Sequence, residues 1–394
     1  MKRFVLFVDF LLILVFLGLM IVPIVTADFQ GGKLSVAENR MLATFPDFAS
    51  MEITAIPRAF ENWINDNIGG RSIASEIDTK VQWNLFKTSA KTDTRIGQDE
   101  WLFYYRPDIG ADYRHDNLLT QEQLAQFAKD SQIVMNYITG KGAHPLMLML
   151  PDKKTIYPEL FPKGLEVKAQ PSRADQIYQY VVEQNAQGNT SLPMMWLCGE
   201  LMNIRNTRLI YSPRLDNAHW NIVGAYVGYE QLCKALQPYF PNLSYVPLDN
   251  CQVTPYEKKD LFNGALEISE TDFIITTGNE GTYRDDSAAL DSLPLGYAGD
   301  PYDWKVRTVN QNSSLPRLLY VGDSYTLKMF PFLSQSFSEM TFLHTDDMQY
   351  LPEMMDRFQP DIVVVEWVER QWSLASSKMW ETATKLYYLQ NPAQ

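Results

Sequence analysis

Leu318-Leu319-Tyr320-Val321-Gly322-Asp323-Ser324-Tyr325 lies late in a chain of 394 residues. Its apolar run, with a β-branched and an aromatic side chain, predicts a buried strand that empties into a Gly-Asp-Ser turn. From Thr326 to Phe337 the sequence is apolar enough for a helix, with Pro331 either near its start or kinking it. Strand, tight turn and helix together set the Ser324 hydroxyl at the carboxyl edge of a sheet, beside the positive end of a helix. A serine in that place can become a nucleophile.

Outward from this stretch the pattern repeats. Met340–Leu343 reads as a strand, Tyr350–Phe358 as a helix and Ile362–Val365 as a strand, so the chain from Leu318 onward is a βαβαβ unit. Upstream, Thr120 and Gln123 form a capping box. Leu124, Phe127, Val134, Tyr137 and Ile138 then line one helical face, and the continuous apolar strand Pro145–Leu150 follows. Helix and then fully apolar strand is the pattern of a parallel sheet covered by helices, hence an α/β fold. Met147, Met149, Met194 and Met195 are core residues in this reading. Helices are also expected around Phe60–Ile68, closed by Gly69-Gly70, over Ile73–Phe86 and over Ile177–Gln184. Arg95–Tyr104 reads as a turn feeding a strand, and Leu209–Tyr211 as a short strand. Glu38-Asn39-Arg40 with Phe45-Pro46 suggests an extended arm. From Leu243 to Ser314 helical period gives way to turn signals and short strands at Phe273–Thr276 and Lys305–Val309.

The ends and the composition narrow the setting. Lys2 and Arg3 precede an apolar run from Phe4 to about Val25, long enough to cross a bilayer with the amino terminus inside. Val25-Thr26-Ala27 also resembles a signal-peptide cleavage site, but the run exceeds the usual signal core, which favours an uncleaved anchor. Either way the body of the protein is expected outside the cytoplasm. With 46 % apolar residues the chain can build a real core, and its net charge of -13 argues against nucleic acid as a partner. Cys198, Cys233 and Cys251 lack zinc-site spacing, leaving one disulfide with a spare thiol or three thiols. The sequence holds no phosphate loop, dinucleotide fingerprint or metal-ligand cluster, so neither cofactor nor metal is expected.

A serine nucleophile needs a base, ordinarily histidine, and an acid that orients it. His144 stands beside a buried strand, His344 ends one, and His115 sits in a polar loop. His219 differs. It lies in Leu215-Asp216-Asn217-Ala218-His219-Trp220-Asn221, just before a helix running from Ile222 to about Leu236. The three-residue spacing lets the Asp216 carboxylate and the His219 imidazole converge at the mouth of that helix, whereas the plainer alternative makes Asp216 or Asn217 only the helix cap. The catalytic candidates are Ser324, His219 and Asp216. Tyr325, Arg370 and Asn217 are further candidates for substrate or oxyanion contact, and the Ser324 N–H is a candidate oxyanion donor. For Arg370 a salt bridge with Glu366 or Asp361 is the structural alternative, and Glu369 reads as structural. Trp372, Trp380, Tyr387 and Tyr388 read as packing a terminal helix, with stacking on sugar rings as the alternative.

Gly322-Asp323-Ser324 after an apolar strand resembles the nucleophile block of SGNH hydrolases, and Asp216-x-x-His219 is similar to their acid–base block. The order is permuted, with acid and base first. That order, the amino-terminal apolar segment, His219-Trp220-Asn221 followed by Gly224-Ala225, Trp101–Tyr104, Leu150–Lys154 and Glu369-Arg370 together resemble the alginate O-acetyltransferase family from about Glu38 to Trp372. The resemblance implies an SGNH-like parallel sheet with flanking helices, a β-rich insertion and an amino-terminal transmembrane helix. Its expected divisions are 1–27 (anchor or signal peptide), 28–94 (arm and helices), 95–242 (first part with the Asp/His motif), 243–314 (insertion) and 315–394 (second part with Ser324 and a terminal helix). It also implies acetyl transfer to hydroxyls of an exported polysaccharide, with a membrane-bound O-acyltransferase as acetyl source. An esterase using the same residues and a non-catalytic export subunit are the alternatives. One departure stands out: that family has Asp-x-His-Trp, which puts its acid at position 217, where this chain has Asn217.

Overall fold

The computed structural model describes residues 2–35, 40–293, 295 and 304–390. Glu38 and Asn39 of the expected arm, and 294 and 296–303 of the expected insertion, lie outside the described residues. The chain forms two compact units: Met1–Lys91 with Lys259–Ile268, and Thr92–Lys258 with Ser269–Gln394.

The first unit holds α1 (Lys2–Val25), α2 (Ile56–Asn67) and α3 (Arg71–Val81). Within α1, Leu6–Val25 is long and apolar enough to span a bilayer, and its side chains are not covered by protein. On α2 the buried Trp63 ring meets Phe29, Phe45 and Phe60 at centroid distances of 5.3, 4.8 and 5.6 Å. The helix expected to run to Phe86 ends at Val81 and continues as one wider turn, Gln82–Phe86. That turn brings Trp83 to 5.3 Å from Phe262, where burial of two rings outweighs regular geometry.

The second unit is a three-layer α/β domain. Its elements begin with a short antiparallel hairpin, β1 (Thr94–Ile96) and β2 (Leu102–Tyr104). Then come α4 (Gln121–Gly140), β3 (His144–Leu150), α5 (Arg173–Ala186), β4 (Met194–Trp196) and α6 (Ile222–Leu236). An antiparallel pair follows, β5 (Gln252–Phe262) and β6 (Leu266–Thr276), whose stretch Lys259–Ile268 belongs to the first unit, and then β7 (Tyr283–Asp285) and β8 (Arg307–Asn310). The chain closes with β9 (Arg317–Gly322), α7 (Phe330–Ser336), β10 (Glu339–His344), α8 (Leu351–Phe358), β11 (Ile362–Val368) and α9 (Trp372–Gln390).

Seven strands make the central sheet in the order β4-β3-β11-β9-β10-β8-β7. From β4 to β10 neighbours are parallel, and β8 and β7 extend one edge antiparallel. Register sets Tyr320 beside Val364 and Phe342, and Gly322 beside His344. Period-two alternation sends Leu318, Tyr320, Ile362, Val364, Leu146 and Leu148 to one face, under α6 and α7. Leu319, Val321, Val363, Val365, Met147 and Met149 go to the other, under α4, α5, α8 and α9. Each fully buried aliphatic side chain is worth about 1.5–3 kcal/mol in apolar transfer, so both faces are firmly covered.

Several local expectations change. Leu209–Tyr211 is no strand; only Tyr211 pairs, through an isolated bridge to Trp220. The helix expected from Thr326 to Phe337 is split into a tight 3₁₀ turn, Ser324–Lys328, and α7, with Pro331 near the start of α7. Proline lacks the N–H that a continuous helix needs at that depth, so the backbone restarts there. All three cysteines are free thiols, with Cys233 buried.

Candidate active site

The nucleophile candidate stands at the carboxyl end of β9, the central strand of the seven. Gly322 is required by close approach: a Cβ there would lie 2.5 Å from Glu366 Oε2 and 2.6 Å from Thr326 Oγ1. Asp323 then caps the turn. Its Oδ1 accepts the Tyr325 N–H at 2.9 Å and its Oδ2 accepts the Val368 N–H at 3.1 Å, tying the turn to the end of β11. The Asp of Gly-Asp-Ser is therefore a brace. Ser324, half-buried, points outward from this frame.

The base candidate arrives from 105 residues upstream, and His219 Nε2 lies 2.8 Å from Ser324 Oγ. On the other side of the ring, Nδ1 is 3.0 and 2.9 Å from Asp216 Oδ1 and Oδ2. Asp216 Oδ1 also accepts the N–H groups of Ala218 and His219, each at 2.9 Å. Burial alone would raise the Asp216 carboxyl. The His219 imidazole, followed by the Lys328 ammonium, more than offsets this and holds it well below the usual carboxylate range. The two side chains keep 31 % and 27 % exposure, enough for a substrate to reach the ring. The three catalytic candidates of the sequence are thus in one hydrogen-bonded line.

The plainer reading of Asp216 and Asn217 as helix caps does not describe this turn. Asn221 caps α6, its Oδ1 accepting the N–H groups of Val223 and Gly224 at 3.0 Å. Asn217 turns away from His219. Its Nδ2 donates to Thr94 Oγ1 at 2.6 Å, and its carbonyl accepts the Tyr104 N–H at 2.7 Å, fastening the loop to the β1–β2 hairpin.

Tyr325 is fully buried behind the serine and acts as a cross-brace. Its hydroxyl donates to the Ala218 carbonyl at 2.6 Å, and its own carbonyl accepts the Trp220 Nε1–H at 3.0 Å. Both sequence neighbours of His219 are therefore tied to the residue that follows Ser324. Arg370 pairs with neither Glu366 nor Asp361. Its guanidinium donates to Asp152 Oδ1, and to the Tyr325 hydroxyl at 3.2 Å. Asp361 is taken by Arg317 instead, at 2.9 Å. Glu369 is structural: it meets Lys154 Nζ at 3.1 Å and accepts the Asp152 N–H at 2.8 Å. Lys154 also bonds Asp112 at 2.7 Å. Burial disfavours its charge, but Asp112, Glu369 and Asp152 together raise its pKa above that of an ordinary lysine.

Sequence reasoning missed part of the surround. Lys153 Nζ donates to three carbonyls, of Leu102, Pro213 and Asp216. Glu270 on β6 accepts from Ser212 Oγ and from the N–H groups of Arg214 and Leu215. Lys328 Nζ donates to the Trp220 carbonyl at 2.7 Å and lies 3.8 Å from Asp216 Oδ2. Only Lys153 had a local signal, its place just beyond the carboxyl end of an apolar strand. Among the described residues no group of three or more His, Cys, Asp or Glu is set to hold a metal ion.

Five parallel strands with helices on both faces, and a serine turn and an Asp/His loop at their carboxyl edge, define an SGNH hydrolase-like α/β domain. Residues 94–270 match the SGNH hydrolase-like domain of acetyltransferase AlgX, a stretch that includes Asp216 and His219 and ends before Ser324. Over those residues the chain is similar to that domain. Among solved structures, Bacillus cereus PatB1 with a sulfonyl adduct is similar at 15 % identity and a TM-score of 0.50, over 73 % of this chain and 96 % of that one. The O-acetyltransferase domain of Pseudomonas putida AlgJ aligns at 16 % identity and a TM-score of 0.44, over 71 % and 91 % of the two chains. Pseudomonas aeruginosa AlgX aligns at 14 % identity and a TM-score of 0.43, over 79 % and 70 %. No curated protein matches the chain.

Proposed function

We propose that this protein is a membrane-anchored O-acetyltransferase that esterifies hydroxyl groups of an exported polysaccharide through a Ser324–His219–Asp216 triad. The observation that carries the reading is the unbroken line of contacts from Ser324 Oγ through the imidazole to the Asp216 carboxylate. The AlgX-type domain supports the acyl-transfer class.

In this mechanism Ser324 Oγ attacks the carbonyl carbon of an acetyl donor while its proton passes to His219 Nε2. The donor's C–O bond breaks, and the departing oxygen takes that proton. The acetyl group is then an ester on Ser324. A sugar hydroxyl attacks this ester, His219 takes the sugar proton, and the proton returns to Ser324 Oγ as the serine leaves. Asp216 keeps the imidazole proton on Nδ1, so that Nε2 is free to accept, and offsets the charge of the imidazolium. Ser324 begins a 3₁₀ turn and its N–H has no hydrogen-bond partner among the described residues, which suits it to receive the developing oxyanion. The apolar helix α1 is the anchor in this reading, and the acetyl source is a membrane-bound O-acyltransferase on the same membrane.

The test is incubation with 4-nitrophenyl acetate, with and without a polysaccharide oligomer, followed by mass spectrometry of both partners. Acetylated oligomer, and a peptide containing Ser324 heavier by one acetyl group, are the expected result. Acetate release that no sugar diverts would make the protein an esterase, and undiminished transfer by Ser324→Ala would end the triad reading.

A further inference from the structure

The loop that carries Asp216 is gripped from two sides by buried charges that make no direct pair with each other. Lys153 is 1 % exposed. Its ammonium has three N–H donors, and all three are used: 2.5 Å to the Leu102 carbonyl, 3.2 Å to Pro213 and 3.0 Å to Asp216. The rings of Trp101 and Phe103 close over it, each centroid 5.2 Å from Nζ. Glu270, 8 % exposed, takes the donors of the same loop. Its Oε2 accepts the Arg214 N–H at 2.8 Å and the Leu215 N–H at 3.0 Å. Ser212 Oγ donates to Glu270 Oε1 at 2.7 Å and itself accepts the Asp216 N–H at 2.9 Å. The carbonyls of 213 and 216 thus go to a cation, and the N–H groups of 214, 215 and 216 go to a carboxylate, the last through a serine.

A buried lysine without a carboxylate partner is costly, and burial pushes Lys153 down to about 7, with Asp216, Glu270 and Asp152 pulling it back up and Lys328 opposing them. Apolar side chains would fill that volume more cheaply. What the lysine adds is geometry, because three carbonyls from two separate segments converge on one atom and the loop cannot shift without stranding one of them.

We infer that Lys153 and Glu270 are positioning residues for the acid of the triad, clamping the backbone of 212–216 so that the Asp216 carboxylate stays aimed at His219 Nδ1. Neither touches the reacting atoms. A carboxylate displaced by about 1 Å loses its hold on the imidazole tautomer, and misplacement of that order costs on the order of 10²-fold in turnover. The inference rests on the triad reading, and the test separates the two.

Lys153→Met, Glu270→Ala and Glu270→Gln are compared with wild type on 4-nitrophenyl acetate, with Ser324→Ala as a control. The first two are expected to lose about 10²-fold in kcat with KM nearly unchanged, and to lose the far-downfield proton resonance of the His219–Asp216 hydrogen bond. Glu270→Gln, which keeps an acceptor oxygen, recovers part of both. Kcat within about threefold of wild type in folded Lys153→Met, or an intact downfield proton there, overturns the clamp while leaving the triad standing. Should Lys153→Met not fold, Glu270→Ala against Glu270→Gln decides, and equal activity in those two overturns it as well. If Ser324→Ala is as active as wild type, it is the triad that fails.

Discussion

Replacing Asp216 by asparagine is the sharpest perturbation the site offers, because it changes charge and tautomer while sparing the turn. In the wild type Oδ1 accepts two backbone N–H groups and the carboxylate faces His219 Nδ1 at 2.9 Å. An asparagine oxygen can keep both backbone bonds, so the loop holds. The amide NH₂ is then left facing Nδ1 and donates to it, which moves the imidazole proton to Nε2. Nε2–H donates toward Ser324 Oγ and no longer accepts its proton. The expected loss is about 10⁴-fold in kcat, or about 5.5 kcal/mol of transition-state stabilisation, with KM little changed. Asn217→Ala is the matched control: it removes one hydrogen bond to Thr94 and should cost about 1 kcal/mol in stability with kcat within a few-fold. Kinetics on an acetyl ester and thermal melts of both variants decide the matter. Asp216→Asn within tenfold of wild type, or a loss of about 10³-fold in Asn217→Ala, would refute the assignment of the acid to position 216. The substitution also carries a stability signature. The folded pKa of Asp216 lies below its ordinary value of 3.8, so its contribution is fully present above that value and is lost as pH falls through the folded pKa. Asp216→Asn should therefore narrow its deficit against wild type at the acid end.

Three further outcomes follow from the surroundings of the site. Lys153 is shifted down to about 7, so the folded chain binds fewer protons than the unfolded one between there and 10.5, and wild-type stability climbs with pH across that window. Relative to Lys153→Met, wild type should gain about 2 kcal/mol between pH 7 and 9, read from urea melts; a gap that is flat or moves the other way refutes the downward shift of the buried Lys153 amine. Glu366 is driven well above its ordinary value of 4.5 by burial and by the neighbouring Asp323, so it costs the folded state increasingly as pH rises. Glu366→Gln should consequently gain melting temperature against wild type from pH 5 to 8, and a constant difference across that range sinks the claim. Gly224→Ala would drive a Cβ to 2.2 Å from the Ile210 carbonyl and 2.8 Å from Trp220 Cβ. It should destabilise by about 1–3 kcal/mol or more and slow turnover through the residue next to His219, measurable as a joint fall in melting temperature and kcat.

What could be read from the sequence was what the chain encodes locally. Leu318–Val321 and Pro145–Leu150 announce buried strands because their neighbours are all apolar. Thr120 with Gln123, and the run from Ile222 to Leu236, mark helix bounds through caps and period that lie within a few residues of each other. Ser324, His219 and Asp216 were legible for a related reason: each sits in a short motif whose spacing already constrains the turn. The supports were not. Thr94, Lys153 and Glu270 reach the acid loop from three other segments, and nothing in the residues beside any of them tells which loop it will meet. The region from 243 to 314 shows the same limit. Its turn signals are real, yet β8 and β7 within it extend the central sheet, and Glu270 from the same region holds the loop of the acid. Short-range pattern thus names the groups able to do chemistry, while the fold chooses what keeps them aligned. In this domain that alignment falls to buried ions and carbonyls. Replacing them tests the mechanism more severely than replacing the triad, because every reacting atom is still in place when the rate falls.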